Sequence, residues 1–291
     1  MYIATLLCAP AAKNLAPEMV DSLRNAWGGG DVQWLAPDEA AEFSLATKPQ
    51  NFWTVWTDVQ ALGVDLILQP ADGRKKQLLL ADMDSTIIQQ ECIDELADEA
   101  GFGALVSAIT ARAMNGELDF EEALTERVLL LKGLKSSVID TVLQDRITLM
   151  PGAGHLVSTM RANGAYTALV SGGFTAFTAH IAKKLGFDEN RANTLNIADG
   201  VLDGTVGLPI LGREAKVSAL NEITVELGIS TQQAIAVGDG ANDLGMLSLA
   251  GAGVALHAKP VVAEKCQIRV NFGDLTALLF LQGYSKDEFI G

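Results

Sequence analysis

The chain is poor in the residues that build several common kinds of site. It has three histidines and three cysteines among 291 residues. Cys8, Cys92 and Cys266 are far apart and odd in number, so neither a disulfide framework nor a cysteine metal site follows, and the pattern suits a reducing cytoplasm. None of His155, His180 and His257 falls in a cluster of acids, which argues against zinc. Cations are scarce too: 21 Lys and Arg stand against 36 Asp and Glu, a formal charge of −15. Nucleic-acid backbones need clustered cations, so that class of partner is excluded. No apolar run approaches the ~20 residues of a membrane helix. The apolar start "MYIATLLCAP" lacks the basic segment of a signal peptide and reads as a first β-strand.

Tryptophan is missing from most of the chain. Trp27, Trp34, Trp53 and Trp56 all lie in the first 60 residues. That shift, followed by the polar stretch "ADGRKK" at 71–76, sets a boundary between a small module, 1–72, and a larger domain, 73–291. The module reads as strand 2–8, helix 16–27, strand 32–36, helix 51–62 and strand 64–69, with a further strand indistinct around 41–47. An antiparallel sheet with two helices follows, the tryptophans forming its core. Beyond the boundary, strands near 77–82, 166–171, 233–238, 252–256 and 267–270 alternate with helices near 153–163, 174–186, 215–227, 242–250 and 274–281. This is the pattern of a parallel sheet covered by helices, an α/β fold. Asp199-Gly200, between short alternating runs, signals a hairpin. The helical block at about 92–150 is too long for an ordinary crossover and is expected to be a cap inserted after the first strand.

Ligands of open α/β sheets bind outside the carboxyl ends of the strands. Three such ends carry polar residues. "LLLADMDSTIIQQE" delivers Asp82 and Asp84, "LVSGGF" delivers Ser171, and "VGDGAND" delivers Asp239, Asn242 and Asp243. Ionised carboxylates are costly to bury unpaired, and acids crowded together raise each other's pKa unless a cation intervenes. All-oxygen ligation suits Mg²⁺. Helix capping accounts for Asn242 or Asp243, but leaves Asp82 and Asp84 unexplained.

"DMDST", "LVSGG", Lys216 and "VGDGAND", in that order over about 210 residues, resemble the four motifs of the haloacid dehalogenase superfamily. "DSTIIQQE" and "MNGELDFEEALTERVLLLKGL" are similar to its phosphoserine phosphatase branch, and the second acid, Asp84, to phosphatases in general. The resemblance implies a Rossmann-like parallel sheet and an Mg²⁺-dependent phosphatase of a small substrate, phosphoserine, or alternatively of a related phosphate such as phosphohomoserine. It implies Asp82 as nucleophile, Asp84 as general acid and base, and Lys216 as a cation at the transferring group. Asp82, Asp239 and the Asp84 backbone carbonyl would hold the metal, with Asp243 in support. Ser171, Gly172, Gly173 and Asn242 would surround the phosphate. Glu91 would take an ammonium. Arg127 lies seven, four and three residues after Phe120, Ala123 and Leu124, on the apolar face of a helix opened by an Asp119–Glu122 capping box. It would take a carboxylate, with Met114 and Phe120 as the apolar cover. A non-catalytic amino-acid-binding regulator is the competing class. The N-terminal module resembles ACT-like domains, which leaves an amino-acid ligand there, and a homodimer, open.

Overall fold

The fold is given by a computed structural model that describes residues 1–114 and 117–291, the Met114 side chain excepted. The N-terminal elements are β1 (Tyr2–Cys8), α1 (Pro17–Trp27), β2 (Gln33–Ala36), β3 (Ala40–Leu45), α2 (Phe52–Gln60) and β4 (Val64–Pro70). The sheet is antiparallel in the order β2-β3-β1-β4, a ferredoxin-like split βαβ arrangement. β3 is the strand that was indistinct in sequence. Pro17 starts α1 and Gly28, at φ 65°, ends it, as helix geometry favours. Phe43, Phe52 and Val59 fill the module's core, with Trp27, Trp34 and Trp56 packed around it. Trp53 is instead exposed.

The larger domain begins with β5 (Leu78–Ala81), whose four residues are all buried. Among the described residues the expected helical block is four short helices: α3 (Cys92–Glu99), α4 (Gly103–Met114), α5 (Phe120–Leu130) and α6 (Val138–Asp145). Then come α7 (Ala153–Ala162), β6 (Tyr166–Phe174), α8 (Thr175–Leu185), β7 (Glu189–Asn193), β8 (Leu195–Ala198) and β9 (Val201–Val206). The chain closes with α9 (Arg213–Glu226), β10 (Ala234–Gly238), α10 (Leu244–Leu249), β11 (Ala252–Leu256), α11 (Pro260–Ala263), β12 (Ile268–Val270) and α12 (Ala277–Leu281).

Six strands form one sheet in the order β12-β11-β10-β5-β6-β7, parallel throughout. The order reverses at β5, whose neighbours are β6 on one side and β10 on the other. That reversal leaves a crevice at the carboxyl ends of these three strands. β8 and β9 stand apart as an antiparallel hairpin turning on Asp199 and Gly200, both at positive φ (51° and 76°), as a type I′ turn requires. The hairpin leans on the helical cap: Gly133 N donates to Leu202 O at 2.8 Å and Ser136 N to Gly200 O at 2.9 Å. The chain enters and leaves the cap side by side, where Gln90 Nε2 donates to Thr148 Oγ1 and Thr148 N donates back to Gln90 Oε1.

The two sheets share packing. Leu7, Leu35, Ala36, Ala40 and Ile67 join the same apolar cluster as Leu278 and Leu281 of α12. Polar ties run alongside. Asp65 accepts hydrogen bonds from the backbone of Asn271, Phe272 and Gly273, each at 2.9 Å. Arg74 pairs with Glu42 and also donates to the carbonyls of Phe280 and Leu281. The "DGRKK" segment is therefore clasped to β3 and to α12.

Candidate active site

Asp82 follows β5 directly, and its backbone N–H donates to Val237 O on β10 at 3.0 Å. The strand pairing thereby fixes where its carboxylate projects. Lys216, on α9, is fully buried and lies 2.6 Å from both Asp82 Oδ1 and Asp243 Oδ1. Burial opposes its charge, but Asp243 and Asp82 overcome that and hold the ammonium above its ordinary pKa. Asp243 Oδ2 accepts from the backbone N–H groups of Asp239 (3.1 Å) and Gly240 (2.9 Å). Asp243 therefore shapes the loop and anchors Lys216. Gly238 is glycine for the same reason: a Cβ there would lie 2.3 Å from the Asp243 carboxyl carbon.

Asp84 is oriented differently. Its Oδ1 accepts from Cys92 N at 2.8 Å and its Oδ2 from Ser171 Oγ at 3.0 Å. Ser171 Oγ in turn accepts from Gly173 N at 2.8 Å. A Cβ on Gly173 would come within 2.6 Å of Asp84 Oδ2, so the close approach requires glycine. Ser85 takes positive φ, 54°, and its Oγ donates to Glu91 Oε1 at 2.5 Å. Burial first, then the neighbouring Asp84 and Asp239, push the Glu91 carboxyl well above its usual range. An ammonium beside it would reverse that shift.

Carboxylate oxygens of Asp82, Asp239 and Asp243 lie within 4.8 Å of one another, the one such metal-ligand grouping among the described residues. Both Asp243 oxygens are engaged, by Lys216 and by two N–H groups, so Asp243 is poorly placed to ligate. Asp239 is the opposite case. Its Oδ2 is buried without a hydrogen-bond partner, and the nearest cation, Lys259 Nζ, stands 3.8 Å away. Burial and then Asp243 raise Asp239 to about 7. Burial, with Asp243 and Asp239, likewise pushes Asp82 well above the carboxylate range against the pull of Lys216. An all-oxygen donor set with one orphaned buried oxygen fits a hard divalent cation.

Asp82, Asp84 and Ser171 open on a cavity of about 330 Å³, which is also lined by Glu91, Arg127, Phe120, Gly172 and Asn242. Asp119 caps α5 by accepting from Glu121 N and Glu122 N, one half of the expected capping box. α5 brings Arg127 into the cavity wall and Phe120 over the "SGG" segment of β6, where a Cβ on Gly172 would meet the ring at 2.7 Å. The structure thus gathers Asp82, Asp84, Glu91, Phe120, Arg127, Ser171, Gly172, Gly173 and Asn242 around one cavity, with Lys216, Asp239 and Asp243 behind Asp82. Met114, expected as part of the cover, lies outside the described side chains. Thr110 and Arg213 also line the cavity and were not anticipated. Neither stands in a motif, and a lone threonine or arginine in a helix gives no signal of its own.

The family model of the haloacid dehalogenase-like hydrolases (HAD) matches residues 79–248. A phosphoserine phosphatase of Streptomyces coelicolor is 42% identical over 87% of this chain and 62% of that protein, so the chain spans under two thirds of that relative's length. A phosphoserine phosphatase of Polaromonas sp. is 49% identical over 70% of this chain and 89% of that protein. A HAD-family hydrolase from Salmonella enterica serovar Typhi, of known crystal structure, is similar with a TM-score of 0.85 at 32% identity, over 99% of this chain and 100% of that one. That likeness takes in the N-terminal sheet as well as the parallel one. With the four motifs in order, their residues gathered at the strand ends, and the family match running through them, the chain belongs to the haloacid dehalogenase-like hydrolases.

Proposed function

We propose that this protein is an Mg²⁺-dependent phosphoserine phosphatase, converting O-phospho-L-serine and water to L-serine and phosphate, the last step of serine synthesis. The observation that carries the reading is the composition of the cavity. Asp82, Asp84 and Ser171 line it together with an acid, Glu91, and a buried cation, Arg127. A phosphate, an ammonium and a carboxylate on one small molecule match those three chemistries. The names of the matched relatives point the same way.

In this reading Asp82 attacks phosphorus and becomes an aspartyl-phosphate, while the P–O bond to serine breaks. Asp84 gives its proton to the departing serine oxygen. It then takes one from the water that hydrolyses the acyl phosphate. Lys216 offsets charge on Asp82 and the transferring group. Ser171 and the N–H of Gly172 cradle the phosphoryl oxygens, Gly173 holds Ser171 Oγ in place, and Asn242 completes the surroundings. Glu91 receives the ammonium and Arg127 the carboxylate, with Phe120 covering the seryl carbon and excluding water. Asp82, Asp239 and the Asp84 carbonyl would hold Mg²⁺, which when bound offsets the repulsion between a carboxylate nucleophile and a phosphate dianion. The three cysteines are buried and free, which supports a reducing, cytoplasmic setting.

The test is phosphate release from phosphoserine, phosphothreonine, phosphohomoserine and p-nitrophenyl phosphate, with Mg²⁺ and after chelation. Phosphoserine is expected to have the highest kcat/KM, and chelation to stop turnover. A panel led by phosphohomoserine moves the substrate assignment. Release from none of the four removes the enzyme reading in favour of a binding protein.

A further inference from the structure

Arg127 is 5% exposed, and two of its donors are anchored within the protein. Nε donates to Ala123 O at 2.9 Å, and Nη1 donates to Thr110 Oγ1 at 2.8 Å. Thr110 gives its single hydroxyl proton to Asp94 Oδ1 at 2.7 Å. The direction of the chain is fixed by the available protons: guanidinium to hydroxyl to carboxylate. Asp94 lies on α3, Thr110 on α4 and Arg127 on α5, so three cap helices meet at these two bonds. Thr110 and Arg127 line the cavity.

Thr110 differs from four other helical threonines. Thr57, Thr125, Thr141 and Thr224 each donate to the carbonyl four residues back, the usual outlet for a hydroxyl in a helix. Thr110 turns to Asp94 instead, and Asp94 forms no direct ion pair with Arg127 among the described residues. The arrangement answers a physical conflict. A buried guanidinium needs compensating charge. A carboxylate paired to it directly would occupy the fork that a ligand's carboxylate must enter. A hydroxyl placed between the two charges supplies compensation at one remove and leaves the remaining donors of Arg127 available.

We propose that Thr110 and Asp94 are positioning residues that hold Arg127 ready for the carboxylate of an amino-acid phosphate, and so set the preference for such substrates over simple phosphate esters. This rests on the phosphoserine phosphatase reading. The experiment compares the full-length wild type with Thr110→Val, Thr110→Ser and Asp94→Asn, on phosphoserine and on p-nitrophenyl phosphate, which has no carboxylate. Thr110→Val is expected to raise KM for phosphoserine by about 10- to 100-fold, the range for losing a hydrogen bond to a charged group. Its kcat should hold, and p-nitrophenyl phosphate should be little affected. Thr110→Ser, which keeps the hydroxyl, should restore the wild-type KM, and Asp94→Asn should show the selective rise. Equal losses on both substrates, or a serine variant that fails like valine, overturn the proposal. If Thr110→Val does not fold, Asp94→Asn and Thr110→Ser decide by the same criteria. A wild type with no preference for phosphoserine overturns the parent reading as well. A preference untouched by all three variants overturns this inference alone.

Discussion

Lys216 is held between two acids, Asp82 and Asp243, and is almost fully buried. Removing one member of such a group leaves the others charged and uncompensated. Lys216→Met should therefore lower stability by about 3–5 kcal/mol, read by urea denaturation, besides ending turnover. Asp84→Asn should lower kcat by about 10²- to 10⁴-fold, the range for losing a general acid and base, with the fold intact. Asp239 supplies a pH dependence. Its pKa is raised to about 7, so below that pH the metal-free acid carries a proton that must leave before it can ligate. Mg²⁺ affinity should fall as pH drops through about 7, approaching tenfold per pH unit for one linked proton. Calorimetric titration in buffers of different ionisation heat should show proton release that grows as pH drops through about 7. A pH-independent affinity would contradict this. At this scale the sequence was informative where acids follow an apolar strand, as at Asp82 and Asp239. It was silent on Thr110 and Asp94, whose partners are brought together only by packing of three helices.

The cap and the hairpin show the same division among elements. Asp199-Gly200 marked the hairpin because a type I′ turn demands residues that tolerate positive φ. Its docking onto the Gly133–Ser136 segment of the cap was not visible, since those bonds are backbone to backbone and independent of side-chain identity. Within the helical block the sequence marked one helix start, the Asp119–Glu122 box, because apolar residues persist throughout it. Short breaks, one at Gly101 with φ 78°, divide it. β7, "ENRAN", was missed because an edge strand with two charged residues lacks the apolar signature. Phe120 and Gly172 form the contact between α5 and β6 that closes the cavity. Gly172→Ala would place a methyl 2.7 Å from the ring and cost about 1–3 kcal/mol as overpacking. The expected outcome is a raised KM with secondary structure unchanged. Phe120→Leu in the same chain, by shortening the side chain, should recover part of the loss. No change in KM would show that the two elements do not meet.

The composition break near residue 72 separated two sheets, but it gave no warning of how closely they join. Asp65 crosses between them to accept three backbone hydrogen bonds, and Arg269 of the larger domain sits over the rings of Trp53 and Trp56, 4.7 and 5.2 Å from their centroids. Such contacts depend on residues more than 200 positions apart, which local patterns do not encode. Asp65→Ala would leave three N–H groups without their acceptor. At about 1–3 kcal/mol for an unsatisfied buried group, and with water reaching some of them, a loss on the order of 3 kcal/mol is expected in urea denaturation. The tryptophan signal and the far-UV signal should still unfold together if the sheets form one cooperative unit. Separate transitions in the wild type would contradict the close joining seen here.

In the proposed reaction phosphoserine reacts at Asp82. Acid quenching of the Mg²⁺-loaded protein during turnover of phosphoserine, followed by peptide mass spectrometry, tests that directly. The account predicts a phosphoryl group on Asp82 that appears with phosphoserine, disappears as substrate is exhausted, and is absent from Asp82→Asn. Phosphate release with no phosphorylated Asp82, or the group found on another residue, would contradict it.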